Sequence, residues 1–319
     1  MNPQICKICK GENKSNSWFI AKEMMLGYKD EFKYFECENC GCLQIAEIPF
    51  AISRFYPASY YSLAMYDGKR FSGFSGSIYK LRNIASFFRA NLFHRILHFL
   101  SPVAKYDIFQ GLGVTKTSRI LDVGCGNGDF FIYPFKEMRF ENVAGCDPYI
   151  QENISYSNGL NLYKTDIFGM RGLWDLIIYN HSFEHLSDPL ENLEHVKKLL
   201  SPNGVCLIRM PTVPCLAWKK YGVNWFQLDA PRHFFIHSPS SLKVMCEKLN
   251  LAIKKIAYDS TDAQFTISEN YEQQIPLVHQ KKGKGLARKI RKLKLNRLAK
   301  KLNKENLGDQ AAFILINRL

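Results

Sequence analysis

Residues 119 to 130 read Arg-Ile-Leu-Asp-Val-Gly-Cys-Gly-Asn-Gly-Asp-Phe, and this stretch limits the fold more than any other. Arg119 to Val123 is a short apolar run close to a glycine-rich break, which marks a buried parallel strand rather than a helix. Gly124, Gly126 and Gly128 follow at every second position, so the strand must end in a tight turn. Without Cβ atoms, such a turn lets a ligand approach the backbone, and its amides face whatever lies on it. A nucleotide-like ligand at the carboxyl end of a first strand follows from that arrangement. The nicotinamide fingerprint Gly-x-Gly-x-x-Gly does not fit, because its third glycine would fall on Asp129.

Strands and helices should alternate from here. Phe130 to Met138 can form the first helix, with Pro134 tolerated near its start. Asn142 to Asp147 reads as the second strand, ending in an acid roughly 20 residues past the glycines, where bidentate bonds to ribose hydroxyls are made. Leu160 to Asp166 is the third, with Asp166 placed to accept from an adenine amino group. The fourth, Trp174 to Asn180, runs into the polar loop His181-Ser-Phe-Glu-His-Leu-Ser-Asp-Pro189. An amphipathic helix from Leu190 to Leu200 is stopped by Ser201-Pro202-Asn203-Gly204, and Val205 to Met210 is the fifth strand.

The Asp-x-Gly-x-Gly-x-Gly arrangement from Asp122 to Gly128 resembles motif I of the class I S-adenosylmethionine (SAM)-dependent methyltransferases. The order of strand, Glu-His loop, helix, Pro-x-Gly turn and strand is similar to theirs as well, so the resemblance covers about Ser118 to Pro211. It implies an α/β, Rossmann-like seven-stranded sheet with helices on both faces. It also implies that SAM is held by Asp122, Gly124, Gly126, Gly128, Asp147, Asp166 and Asn180.

Beyond Pro211, Thr212 to Ser240 is an insertion-like, aromatic-rich stretch containing Pro231-Arg232-His233. It resembles the acceptor-side segment of methyltransferases found with bacterial surface-glycan genes, in which Pro-Arg-His precedes a Ser-Pro-capped helix. Here Ser238-Pro239 is that cap. Ala252 to Tyr258 should be the sixth strand and Ala311 to Asn317 the last.

Cys6-x-x-Cys9 and Cys37-x-x-Cys40 form two knuckles with 27 residues between them. Paired thiolates from two tight turns, joined by a hairpin of Ser17 to Ala21 and Lys33 to Glu36, complete a tetrahedral site for structural Zn2+. A redox pair would not need two copies. Cys42 is a bystander or replaces Cys40. The expected organisation is a zinc-ribbon module over 1–48, an aromatic linker and helix over 49–100, and a methyltransferase domain over 101–319. Pro49 to Phe74 either packs between ribbon and domain or forms a lid over donor or acceptor. Ile78 to Leu100 reads as one helix. A four-cysteine zinc module, an aromatic linker and then this domain is also similar to the deoxysugar C-methyltransferases.

Charge argues against a nucleic-acid enzyme once its distribution is considered. The net charge is +14, but twelve Lys or Arg and no acid fall between Lys281 and Lys304, which leaves +2 for the rest. The segment is a helical excursion between the last two strands, with Leu286, Ile290, Leu293 and Leu298 or Leu302 near one side. Such a helix either lies on an anionic membrane or packs its apolar stripe on the domain. No run reaches the roughly 18 apolar residues of a membrane span and no signal-peptide core opens the chain, so the expected location is cytoplasmic, with peripheral contact at the inner membrane face through 281–304.

Methyl transfer from a sulfonium needs alignment of the acceptor and removal of one proton. His185 and His233 are the candidate general bases, because an imidazole titrates near neutral pH. A sugar or glycan acceptor fits the resemblances. One alternative is RNA, although Asn180-His181-Ser182-Phe183 is not the Asn/Asp-Pro-Pro-Tyr/Phe signature of amino-group nucleic-acid enzymes. Others are a phenolic metabolite, with Glu184 and His185 helping to hold a divalent ion but no further acid ligand evident, and a non-enzymatic zinc-ribbon binding protein.

Overall fold

The computed structural model describes residues 4–13, 18–57, 62–280 and 285–318. Ser17, Tyr60, Tyr61, Lys281, Lys282 and Lys284, part of the features above, lie outside that set. In chain order the elements are β1 (Gln4–Ile5), β2 (Glu12–Asn13), β3 (Trp18–Lys22), β4 (Glu31–Glu36), β5 (Leu43–Ile45), α1 (Gly73–Phe88), α2 (Leu92–Leu100) and β6 (Arg119–Val123). Next come α3 (Ile132–Glu137), β7 (Asn142–Cys146), β8 (Ile154–Ser155), β9 (Asn161–Tyr163), β10 (Trp174–Asn180), α4 (Pro189–Leu199) and β11 (Leu200–Pro211). The chain continues through α5 (Leu216–Tyr221), β12 (Phe235–Ile236), α6 (Pro239–Lys248), β13 (Leu251–Tyr258), α7 (Ala263–Glu272), α8 (Leu286–Lys304) and β14 (Gln310–Asn317).

Two compact units result. One consists of Met1–Pro57, His181–Glu194 and Ile208–Leu319, the other of Ala58–Asn180 and His195–Leu207. In the second, strands are ordered β11-β10-β6-β7-β9-β8. β6 runs parallel to β10 and β7, with Asp122 level with Ile178 and Gly145. β6 and β10 are buried along most of their length, as their near-continuous apolar sequence requires of strands covered on both faces. An aromatic cluster anchors the end of α1, with Phe87 5.3 Å from Phe109 and 5.1 Å from Phe140, ring centre to centre.

In the first unit the order from β11 is β11-β14-β13, with β13 and β14 antiparallel. The expected seven strands are all present, and β8, a two-residue strand antiparallel to β9, makes an eighth. A separate sheet, β12-β5-β4-β3, carries the N-terminal hairpin. Its last pairing, Phe235 with Gln44 and Ile236 with Leu43, joins the N-terminal module to the segment after Pro-Arg-His.

Three local expectations need correction. The single helix over Ile78 to Leu100 is two, because Arg89 closes α1 in the left-handed region (φ 47°) and Asn91 caps α2 by accepting from the His94 N–H. The third strand ends at Tyr163, not Asp166. The fifth starts at Leu200, so the Ser-Pro-Asn-Gly segment lies within the strand instead of separating helix from strand. The Ser238 cap behaves as expected, accepting from the Ser241 N–H at 2.9 Å, with Pro239 in the first turn of α6.

Candidate functional site

The glycine turn is held from two sides. Asp147 Oδ2 accepts the Gly126 N–H at 2.8 Å and its Oδ1 accepts the Tyr149 N–H at 2.8 Å, so this carboxylate fixes the backbone beside it. Opposite, residues 62–66 of the aromatic stretch strap the turn. Ser62 O accepts the Asn127 N–H at 2.8 Å, Ala64 O accepts from Asn127 Nδ2 at 2.7 Å, and Tyr156 OH bonds Asn127 O at 2.8 Å. Gly126 has φ +54°, and a Cβ there would lie 2.4 Å from Ser62 O, a backbone atom that cannot yield cheaply.

Asp122 closes the floor. It is buried, its Oδ1 has no hydrogen-bond partner, and burial together with the neighbouring Asp147 charge pushes its carboxyl well above the usual range. An orphaned buried acceptor next to a bare glycine turn fits a ligand that brings hydroxyl donors and positive charge. Asp122, Gly124, Gly126, Gly128 and Asp147 therefore come together at the carboxyl ends of β6 and β7. Asn180 ends β10, one residue beyond the Tyr179 to Val123 pairing. Asp166 is exposed and engaged elsewhere: its Oδ1 accepts the Phe168 N–H at 3.0 Å and caps a short turn. A local side-chain bond of this kind competes with strand continuation, which is why β9 stops early.

In the other unit, the loop after β10 meets the Pro-Arg-His segment. His185 Nδ1 lies 2.8 Å from Arg232 O and 3.1 Å from Tyr56 OH, and His233 Nδ1 lies 2.7 Å from Gln227 O. A carbonyl only accepts, so each Nδ1 carries a proton, and in the neutral ring Nε2 is then the nitrogen with the lone pair. The two rings stand 4.7 Å apart, edge to face. Glu184 is fully buried beside them, with neither carboxylate oxygen hydrogen-bonded. Burial would raise its pKa, but His181, His185 and His233 outweigh that and hold it at about 2. Burial and His233 lower His185.

These histidines rest on a buried ion network. Arg232 donates to Asp229 at 2.6 and 2.8 Å and to Glu23 at 2.9 Å. Glu23 also accepts three backbone N–H groups, from Met25, Leu26 and Tyr28. Tyr34 OH donates to His233 O at 2.9 Å. Arg232 thus fixes the carbonyl that sets the tautomer of His185.

A methyltransferase-domain family model matches residues 86–256, more than half of the chain. The chain belongs to that family. Among curated relatives of this methyltransferase-family protein, a tRNA U34 carboxymethyltransferase of Campylobacter jejuni subsp. doylei is 26% identical over 155 residues, 45% of this chain and 53% of its own length. The chain thus spans about half the length of that relative. A ubiquinone biosynthesis O-methyltransferase of Rickettsia canadensis is 25% identical over 201 residues, 56% of this chain and 84% of its own. Among solved structures, a cyclopropane synthase from Mycobacterium tuberculosis shares 14% identity, with TM-score 0.42 over 74% of this chain and 93% of its own.

The methyltransferase-family chain also gathers four cysteines at its N-terminal end, Cys6, Cys9, Cys37 and Cys40. Cys6 and Cys40 Sγ are 3.7 Å apart, Cys9 and Cys37 Sγ 3.6 Å. A tetrahedron with zinc–sulfur bonds of about 2.3 Å has edges of about 3.8 Å, so the donor set fits zinc. Backbone N–H groups of Ile8 and Gly11 and the Gln44 amide point at Cys6 or Cys9 sulfur, as thiolates require. Cys42 is not in the group; its Sγ faces Leu43 O.

Several residues of these sites carry no pattern that sequence reasoning could use. Glu23 and Tyr34 are about 200 positions from their partners. Asp229, three residues before Arg232, was findable from its spacing to that arginine.

Proposed function

We propose that the chain transfers a methyl group from SAM to a sugar or glycan acceptor. The single observation that carries the methyl-transfer part is the glycine turn clamped by Asp147 over the orphaned, buried Asp122. When SAM is bound, its sulfonium supplies the reactive methyl. In this reading Asp147 and Asp122 accept from ribose and amino groups, Asn180 and Asp166 border the same strand ends, and the turn excludes any side chain from the cofactor's path. The protonated Nδ1 atoms of His185 and His233 leave an acceptor nitrogen on each ring, able to take the proton released by the acceptor.

The sugar acceptor is supported by the resemblance of the whole-chain order, four-cysteine module, aromatic linker, methyltransferase domain and Pro-Arg-His segment. The relatives named for a tRNA uridine and for ubiquinone biosynthesis supply the competing acceptors. We also assign structural zinc to Cys6, Cys9, Cys37 and Cys40, and contact with an anionic membrane to the exposed part of α8. The test is calorimetry with S-adenosylhomocysteine, followed by methyl-transfer assays against nucleotide sugars, unmodified tRNA and a polyprenylated catechol. Micromolar binding of about −8 kcal/mol is expected. No binding would remove the methyltransferase reading, and transfer to tRNA or the catechol alone would remove the sugar.

A further inference from the structure

The polar cluster after β10 has a geometry that proton removal does not use. Glu184, His185 and His233 each offer a ligand atom, and these atoms all lie within 4.8 Å of one another. Glu184 is wholly buried with both carboxylate oxygens lacking a hydrogen bond. Its nearest basic neighbours are His181 Nδ1 at 3.4 Å and His233 Nε2 at 3.8 Å, longer than a good N–H···O bond. A buried carboxylate left in this state is costly unless something positive completes it. Both imidazoles, meanwhile, have one nitrogen committed to a backbone carbonyl, Arg232 O for His185 and Gln227 O for His233. Metal-bound histidines are oriented in this way: the N–H of one ring nitrogen is held by a carbonyl, and the other nitrogen is left as the ligand.

We propose that Glu184, His185 and His233 bind a divalent transition-metal ion. Two imidazoles and one carboxylate suit Mn2+, Fe2+, Co2+, Ni2+ or Zn2+ better than the all-oxygen preference of Mg2+ or Ca2+. Three protein ligands leave coordination positions open, so an acceptor hydroxyl bound there would give up its proton to solvent water more readily, the ion stabilising the alkoxide left behind. With the ion bound, the Nε2 lone pairs are its ligands and the proton goes to solvent; without it, the same lone pairs are the bases. His181 Nδ1 lies beside the same carboxylate oxygen as His233 Nε2, and the Arg232–Asp229–Glu23 network holds the carbonyl behind His185. The role given to the ion rests on the methyl-transfer reading; its binding does not.

The test uses full-length protein with its cysteine site filled with zinc, titrated with Mn2+ and followed by the loss of the free-ion electron paramagnetic resonance signal. One Mn2+ per chain at micromolar affinity is expected. Glu184→Gln and His233→Ala should each weaken it by about tenfold or more. S-adenosylhomocysteine binding, measured on the same samples, reports whether the variants are folded. Should they fail to fold, paramagnetic broadening of the His185 and His233 ring resonances in the wild type replaces them. No Mn2+ binding, variants that bind as the wild type does, or broadening at other residues would overturn the site. Mn2+ binding without S-adenosylhomocysteine binding would leave the metal site standing and remove the methyl-transfer reading.

Discussion

Asp122 is a buried carboxylate with an unpartnered oxygen next to a second carboxylate, an arrangement that costs stability unless a ligand relieves it. Its folded-state pKa lies above the unfolded value near 3.9. The stability it contributes is therefore complete below about pH 4 and is lost as pH rises toward the folded value. Asp122→Asn should raise the melting temperature at pH 8, by an amount equivalent to about 1 to 3 kcal/mol. The gap between variant and wild type should close as pH falls to about 4, and differential scanning calorimetry across that range reads both effects. Equal melting temperatures at pH 8 would count against an uncompensated charge. Donor binding should respond oppositely, with Asp147→Ala weakening S-adenosylhomocysteine by about 1.5 to 3 kcal/mol and Gly126→Val abolishing it through the clash with Ser62 O. Isothermal calorimetry checks both variants. The glycines and Asp147 were legible because backbone approach and an acid at a strand end leave fixed spacings in the sequence. Asp166 was misplaced on its strand, since a side chain capping its own turn leaves no such trace. The burial of Glu184 was not legible either, because it depends on a segment some fifty residues away.

At the scale of elements, hydrophobic periodicity located every strand of the main sheet except β8, and was weakest where a break is made by one residue. Phe88-Arg89-Ala90-Asn91 keeps apolar spacing on either side while Arg89 turns left-handed, so a single long helix and two short ones look alike in sequence. α8 shows a second limit. Packing accounts for only one end of the helix. Ala299 and Leu302 are buried and Asn303 bonds Ser260, whereas Leu286, Ile290, Leu293 and Leu298 are exposed. Lys289, Lys292, Lys294 and Arg297 are exposed as well. Each cation near an anionic bilayer contributes about 1 kcal/mol. Replacing these four by Gln should cut sedimentation with phosphatidylglycerol vesicles by at least about tenfold while leaving the melting temperature unchanged, because the anchoring end of the helix is untouched. Equal sedimentation of the two proteins would show that the exposed stripe does not bind membranes. Among the described residues, no helix is long and apolar enough to cross one.

At the scale of the molecule, the N-terminal module is less separate than its sequence suggests. Two Cys-x-x-Cys knuckles and a hairpin read as a self-contained ribbon, yet β5 takes β12 as its neighbour and the Ser238 hydroxyl donates to Cys40 O. The knuckle that holds Cys37 and Cys40 is therefore hydrogen-bonded to the segment that carries Arg232 and His233, and Glu23 and Tyr34 extend the same connection. One zinc per chain is expected by elemental analysis of protein prepared without chelator. Removing it, or making Cys37→Ser, should release the β4–β5 hairpin from its tetrahedral constraint, since a structural zinc site contributes folding energy directly. Because β12 pairs with that hairpin, amide exchange should quicken across 227–241 as well as across 31–45. β6 and β7, which belong to a different sheet, should keep their protection, and S-adenosylhomocysteine binding should survive. Hydrogen-exchange mass spectrometry on zinc-loaded and zinc-free protein decides the matter. Faster exchange confined to 4–45 would show that the ribbon stands alone, and that the loop holding His233 owes nothing to a metal in the cysteine site.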